Sequence, residues 1–339
     1  MAGFPQDDDM AEIVISSLPL ETRCPPLSLR LYRGFWMPEP MLPGIPATES
    51  RFEPRPSDVF LASFPKSGTT WLKALAFATM NRVVHPPRSP DHPLRHRNPH
   101  ECVDFMEMAF AGSADGDDDD VFAELPSPRV LATHLPYPLL PTRIAAEGSP
   151  GKIVYVCRDP KDAFVSTWLF LLKSMAAMAT TGAGDDPPTA EFKIEDAFEL
   201  FCDGRSGAGP QWRHVAGYWE ASRRWPTKVL FLKYEEMLQD PVGNVRKLAE
   251  FLGCAFSDEE EAARVVQDIV ELCSIDALKN MEVNKSGSQK YFPNESFFRK
   301  GVAGDWSNHM TPAMAERLDR IVEEALQGTG FTFAPAQST

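Results

Sequence analysis

The sequence predicts an α/β fold in which a parallel β-sheet is flanked by helices on both faces. Three observations lead there. Short apolar runs recur, and each is followed by a loop and a stretch of helical periodicity. The runs are apolar nearly throughout, as strands buried on both faces are. Strand and helix patterns alternate rather than segregate, as parallel crossover units do.

The four strands are "DVFLASF" (58–64), "PRVLATH" (128–134), "GKIVYVCR" (151–158) and "TKVLFLKY" (227–234). Helical patterns such as "TTWLKALAFATMNRV" and "DAFVSTWLFLLKSM" supply the crossovers. A last helix, "TPAMAERLDRIVEEALQGTG", opens on Thr311 as N-cap with Pro312 behind it and stops at glycines. The proline-rich residues 1–57 carry the aromatic cluster "YRGFW" and are expected to pack on the body as an N-terminal segment. Residues 58–332 form one domain and 333–339 a tail, with no internal repeat.

With 43% hydrophobic and 24% charged residues over 339 positions, the chain can bury a core that needs no disulfide or metal. A net charge of -14 argues against nucleic acid or an anionic membrane as partner. The six cysteines contain no C-x-x-C pair and suit a reducing compartment. The acidic N-terminus has no apolar signal core. The stretch "STWLFLLKSMAAMAT" (166–180) is interrupted by Lys173 and falls short of the ~20 residues of a membrane span. A soluble, cytoplasmic protein is expected.

Ligands of such folds bind beyond the C-terminal strand ends, where Lys66, His134 and Arg158 fall. "FPKSGTTW" (64–71) joins a strand to a helix through Gly68. The first N–H groups of that helix, its dipole, two threonine hydroxyls and Lys66 suit an oxyanion. A capping turn would explain Gly68 and one hydroxyl but not Lys66. In triphosphate loops the lysine follows the second glycine, whereas Lys66 precedes Gly68. His134 in "THLP" could take a proton from a hydroxyl, and no Ser or Cys nucleophile motif lies beside it. In "VCRDPKDAFVSTW", Arg158 and Ser166 could clamp a phosphate, or Asp159 or Asp162 could merely cap a helix and pair with Arg158. Arg299, Lys300 and Gly301 in "FFRKGVAGDW" form a second basic loop that the backbone can bring close to a ligand. His85, His92, His96 and His100 lack zinc spacing and read as a flexible loop. Asp117 to Asp120 lack the calcium-loop glycine and glutamate and read as a solvated turn.

Taken together, "FPKSGTTW", "CRDPKDAFVSTW", "LKYEEML" and "RKGVAGDW" resemble the cytosolic sulfotransferases that use 3′-phosphoadenosine 5′-phosphosulfate (PAPS), and most closely the plant soluble branch. The resemblance runs from about residue 58 to about residue 330. It implies a phosphosulfate loop of Lys66, Ser67, Gly68, Thr69 and Thr70 after the first core strand, with Trp71 stacked on adenine and Tyr234 beside it. It gives the 3′-phosphate to Arg158, Ser166, Arg299, Lys300 and Gly301, and makes His134 the base and Lys66 a catalytic cation. In-line transfer to a hydroxyl would release adenosine 3′,5′-bisphosphate (PAP), with no metal. Ala132 stands where animal relatives often carry a Lys. Ser307, Thr311, Pro312 and Glu316 keep only half of the family's dimer signature, so a monomer is expected. A small-molecule kinase or a silent nucleotide-binding protein are the alternatives. "YRGFW" and the loops at 85–120 and 180–210 are expected to line the acceptor pocket, for a phenolic, flavonoid, steroid-like or hydroxy-acid acceptor.

Overall fold

The four apolar runs form one parallel sheet in the computed structural model, which describes residues 15–113, 120–181, 192–289 and 292–333. An antiparallel sheet precedes it: β1 (Leu20–Cys24), β2 (Leu27–Tyr32) and β3 (Phe35–Pro38). The central strands are β4 (Val59–Ser63), β5 (Val130–Thr133), β6 (Lys152–Cys157) and β7 (Val229–Lys233), in the order β5-β4-β6-β7. A short ribbon, β8 (Ser288–Gln289) with β9 (Phe292–Pro293), lies near the C-terminal end.

Why these runs carry no polar alternation is visible in the packing. Val59 and Leu61 of β4 and Val154 and Val156 of β6 join one core with Leu72 and Leu75 of helix Thr69–Met80 and Leu248 of helix Pro241–Leu252. Their neighbours Phe60, Ala62, Ile153 and Tyr155 join the other core, with Phe164 of helix Pro160–Thr181 and Val215 of helix Gln211–Arg224. Each such side chain contributes roughly 1.5–3 kcal/mol when fully buried, so neither face of the sheet could be left uncovered. The last helix, Pro312–Leu326, starts where the sequence places it, with the Thr311 hydroxyl accepting from Met314 N at 3.2 Å.

Three expectations are corrected. The stretch at 166–180 lies within the 22-residue helix Pro160–Thr181, which is long and apolar enough to cross a bilayer by length and composition. Ala163, Phe164, Val165 and Leu171 nevertheless face the protein core. The histidine segment is packed rather than loose: His92 is buried and its Nδ1 accepts from Leu94 N, while Asn98 and Glu101 form a reciprocal cap on helix Pro99–Cys102. Asp120 does not face solvent but pairs with buried Arg129, which also holds Asp58; Asp117 to Asp119 lie outside the described residues.

"YRGFW" forms the β2–β3 hairpin. Arg33 and Gly34 both take positive φ, 46° and 83°, the geometry of a two-residue turn matched to strand twist. Tyr32 and Phe35 enter the core. Trp36 N donates to Gly209 O and Ala208 N to Trp36 O, so the N-terminal sheet is stitched to the loop before helix Gln211–Arg224.

Candidate active site

The strand order brings the ends of β4, β5, β6 and β7 to one rim, and the segments leaving them enclose a cavity of about 630 Å³. Beyond β4, Gly68 (φ 101°) is the N-cap of helix Thr69–Met80 and supplies no side-chain cap. The N–H groups of that first turn therefore lack intrahelical partners and point to the cavity rim. A Cβ on Gly68 would come within 2.7 Å of the Tyr234 ring. Lys66 holds the left-handed region (φ 64°), and its Nζ sits 3.9 Å from the Phe170 ring centre. Burial, with Arg158, Arg299 and Lys173 nearby, lowers its pKa to about 7.

Arg158 ends β6 and stacks 4.6 Å over the Tyr234 ring, while its terminal nitrogens donate to the carbonyls of Lys66 and Val302. The capping and pairing alternative for Arg158 holds in part. Asp162 lies 3.9 Å away and Asp159 receives N–H bonds in the first helical turn, yet the buried Arg158 Nε has no protein partner. The Ser67 Oγ is likewise buried without one. Ser166, Trp71, Tyr234, Arg299 and Gly301 line the same cavity, and Trp71 meets Tyr234 edge-on at 5.7 Å. Lys300 does not line it; exposed, it donates to Asp305 at 2.6 Å beside Arg299. Burial pushes the Asp305 carboxyl up, but hydrogen bonds from Lys300, Asn308 and Arg299 hold it well below the usual carboxylate range.

His134 follows β5 and reaches the cavity beside Phe105. Its Nδ1 lies 2.8 Å from the Ser63 carbonyl, which can only accept, so Nδ1 carries the proton and Nε2 is a free lone pair. Burial lowers the imidazole to about pKa 4, which keeps it neutral at pH 7. Its backbone is held on both sides: His134 N donates to Glu107 Oε1 at 2.7 Å, and His214 Nε2 donates to His134 O at 3.1 Å. Ser63 also holds the first turn of helix Thr69–Met80, because its Oγ lies 2.6 Å from Thr69 Oγ1.

A family model described as the sulfotransferase domain matches residues 56–330. This chain belongs to the sulfotransferase family. Cytosolic sulfotransferase 12 of Arabidopsis thaliana is 42% identical over 336 residues, covering 97% of this chain and 96% of the relative. A crystal structure of an Arabidopsis thaliana candidate steroid sulphotransferase superposes with a TM-score of 0.70 at 35% identity, covering 98% of this chain and 99% of that one. A mouse sulfotransferase complexed with PAP gives 0.61 at 25% identity, covering 89% and 95%. Against that family background, sequence reasoning passes over four polar residues at the site: Lys73, His100, Glu107 and His214. His100 was legible only as one of four histidines without metal spacing, and helical periodicity alone gives Lys73, Glu107 and His214 no distinguishing mark. Of the segments expected at the acceptor pocket, "YRGFW" does not line the cavity. Its neighbours Leu27, Pro38, Pro40 and Met41 do, as do Met108, Ala109, Gly207 and Ala208. The segments 114–119 and 182–191 lie outside the described residues.

Proposed function

We propose that this sulfotransferase moves the sulfuryl group of PAPS to a hydroxyl of a small, largely apolar organic acceptor. The observation that carries the reading is the convergence of an uncapped helix N-terminus, three repelling cations and a neutral imidazole on one cavity. Lys66, Arg158 and Arg299 face one another with Asp104 as the sole carboxylate among the described lining residues. The orphaned Arg158 Nε adds unused hydrogen-bonding capacity to the cavity, while the orphaned Ser67 Oγ lies buried behind its lining. A nucleotide with a charged group at each end fits that donor set. Lys66 to Thr70 would hold the 5′ end, Arg158, Ser166, Arg299, Lys300 and Gly301 the 3′-phosphate, and Trp71 and Tyr234 the adenine. Lys300 would have to exchange its bond to Asp305 for this.

PAPS supplies the sulfuryl group and departs as PAP. His134 Nε2 takes the acceptor proton as the new O–S bond forms, and the Ser63 carbonyl stabilises the imidazolium through Nδ1–H. Lys66 places positive charge where the leaving oxygen gains negative charge, and Phe170 and Phe297 shield that charge from water. Leu27, Pro38, Pro40, Met41 and Met108 offer the acceptor an apolar wall. Following its named relatives, the enzyme would work in the cytosol, and the incomplete dimer signature favours a monomer.

Calorimetric titration with PAP, and with ATP in parallel, without added metal, tests the reading. Saturable PAP binding stronger than ATP binding is expected, followed by transfer of labelled sulfate from PAPS to a panel of neutral phenols and alcohols. Magnesium-dependent ATP binding without PAP binding would overturn it in favour of a kinase.

A further inference from the structure

We propose that Lys73 and His100 are positioning residues that set the direction of the Thr70 hydroxyl, turning it into a hydrogen-bond donor for the bound anion. This rests on the sulfotransferase reading, because the anion is taken to be the 5′-phosphate end of PAPS or PAP. Three polar groups form a chain from the interior to the cavity. Lys73, one turn into helix Thr69–Met80, is fully buried and makes no ion pair among the described residues. Its Nζ lies 3.1 Å from His100 Nδ1, 2.8 Å from the Val103 carbonyl oxygen and 3.4 Å from the Phe105 ring centre. His100 Nε2 lies 2.9 Å from Thr70 Oγ1, and both His100 and Thr70 line the cavity.

The charge on Lys73 sets the polarity of this chain. An ammonium has donors only. With Lys73 charged, His100 Nδ1 must accept, so Nε2 carries the proton and donates to Thr70 Oγ1. The hydroxyl hydrogen of Thr70 then has no partner in the chain and is available to the loop. With Lys73 neutral the chain can run backwards, and Thr70 spends its hydrogen on His100. Asp104, Glu107 and Cys102 face Lys73 and favour its charge, against the burial that lowers it to about pKa 7; Lys66 and His134 face His100 and oppose charge there. An anion in the loop tips the balance to the charged lysine. Lys73 also stands behind the loop as a cation in a site where Ala132 supplies none. The two cavity histidines are thus wired oppositely: His100 as an Nε2–H donor toward the anion, His134 as an Nδ1–H tautomer with a basic Nε2.

PAP titrated into the wild type, Lys73→Met, Thr70→Val and the double variant tests the coupling. Each single substitution is expected to weaken PAP binding about tenfold, the worth of one charge-assisted bond. The double variant should lose no more than either single one. Additive losses, or a Lys73→Met protein with wild-type affinity, would sink the relay while leaving the sulfotransferase reading intact. Absence of PAP binding in the wild type would remove both. Should Lys73→Met fail to fold, the pair His100→Gln and His100→Leu decides. The glutamine amide donates from near the Nε2 position and should stay within about threefold of wild type, whereas leucine should match Thr70→Val. Equal losses in the two overturn the proposal. Nitrogen-15 imidazole spectra give a readout independent of binding: an Nδ1–H tautomer at His100 in the PAP complex contradicts it.

Discussion

At one end of the cavity Gly68, Lys66 and the uncapped first turn of helix Thr69–Met80 present a titratable cation and N–H groups held by backbone angles. At the other, Leu27 and Pro38 of the N-terminal sheet, Met41, Met108 and Ala208 present apolar surface from segments far apart in the chain. The first group is one contiguous run, shaped by the positive φ of Lys66 and Gly68, to which the proposed reading gives the 5′ end of the nucleotide. The second is made by side chains that meet only after the β1–β3 sheet has been stitched to residues 208 and 209. On the proposed reading, recognition of the nucleotide's 5′ end is local, whereas the 3′-phosphate and acceptor sites are assembled from distant segments. Substitutions should separate along the same line.

The largest separation is expected at the proposed base. His134→Ala should lower kcat by about a hundred- to ten-thousand-fold with PAP affinity within about twofold of wild type; equal loss in both would return His134 to a structural role. Gly68→Ala comes next. Its φ of 101° and the 2.7 Å approach to Tyr234 put a strain of about 1–3 kcal/mol into the loop itself. PAP affinity should drop at least tenfold while acceptor KM at saturating PAPS barely moves.

A smaller effect follows from protonation. Free Lys66 has a pKa of about 7, so at pH 8 most of it is neutral, and a bound anion favours the charged form. Binding should then take up a proton, and PAP affinity should fall by up to about tenfold per pH unit above 7. Calorimetry in buffers of different ionisation enthalpy measures this, and Lys66→Met should remove the Lys66 share of the uptake while leaving that of Lys73. The smallest effect belongs to the apolar end: Met108→Ala should shift acceptor KM several-fold, the range open to a methyl group or two, without touching PAP affinity. A change in PAP binding there would show the two ends to be coupled.

The same division explains what could be read from the sequence. "FPKSGTTW" was legible as a candidate anion loop because its features are contiguous along the chain: strand, Gly68 at positive φ, helix. The buried strands were legible for a similar reason, since both faces of β4 and β6 meet a core. His100 and Lys73 were not. They lie 27 residues apart and meet because residues 104 and 105 dock beside Ala132 on the edge strand. Nothing in the spacing of four histidines around prolines records that contact. The antiparallel sheet of residues 20–38 was hidden by prolines, which sit at a strand end and in the turns where their missing N–H is harmless. Lys300 shows something else the sequence does not record: its ammonium is paired with Asp305, a bond that the proposed 3′-phosphate contact would have to replace.

Ser63 holds both halves of the proposed chemistry, the imidazole through its carbonyl and the head of the anion-binding helix through its hydroxyl. The gap between proton acceptor and anion loop is thus spanned by two short bonds to a single residue. Leu27 and Pro38 of the N-terminal sheet and Gln289 and Phe292 of the β8–β9 ribbon line the same cavity from other segments and are no part of that span. In engineering terms the bearing and the tool share one mount, and the workpiece holder is bolted on separately. Such a chain can change what it modifies while leaving the transfer distance as it was.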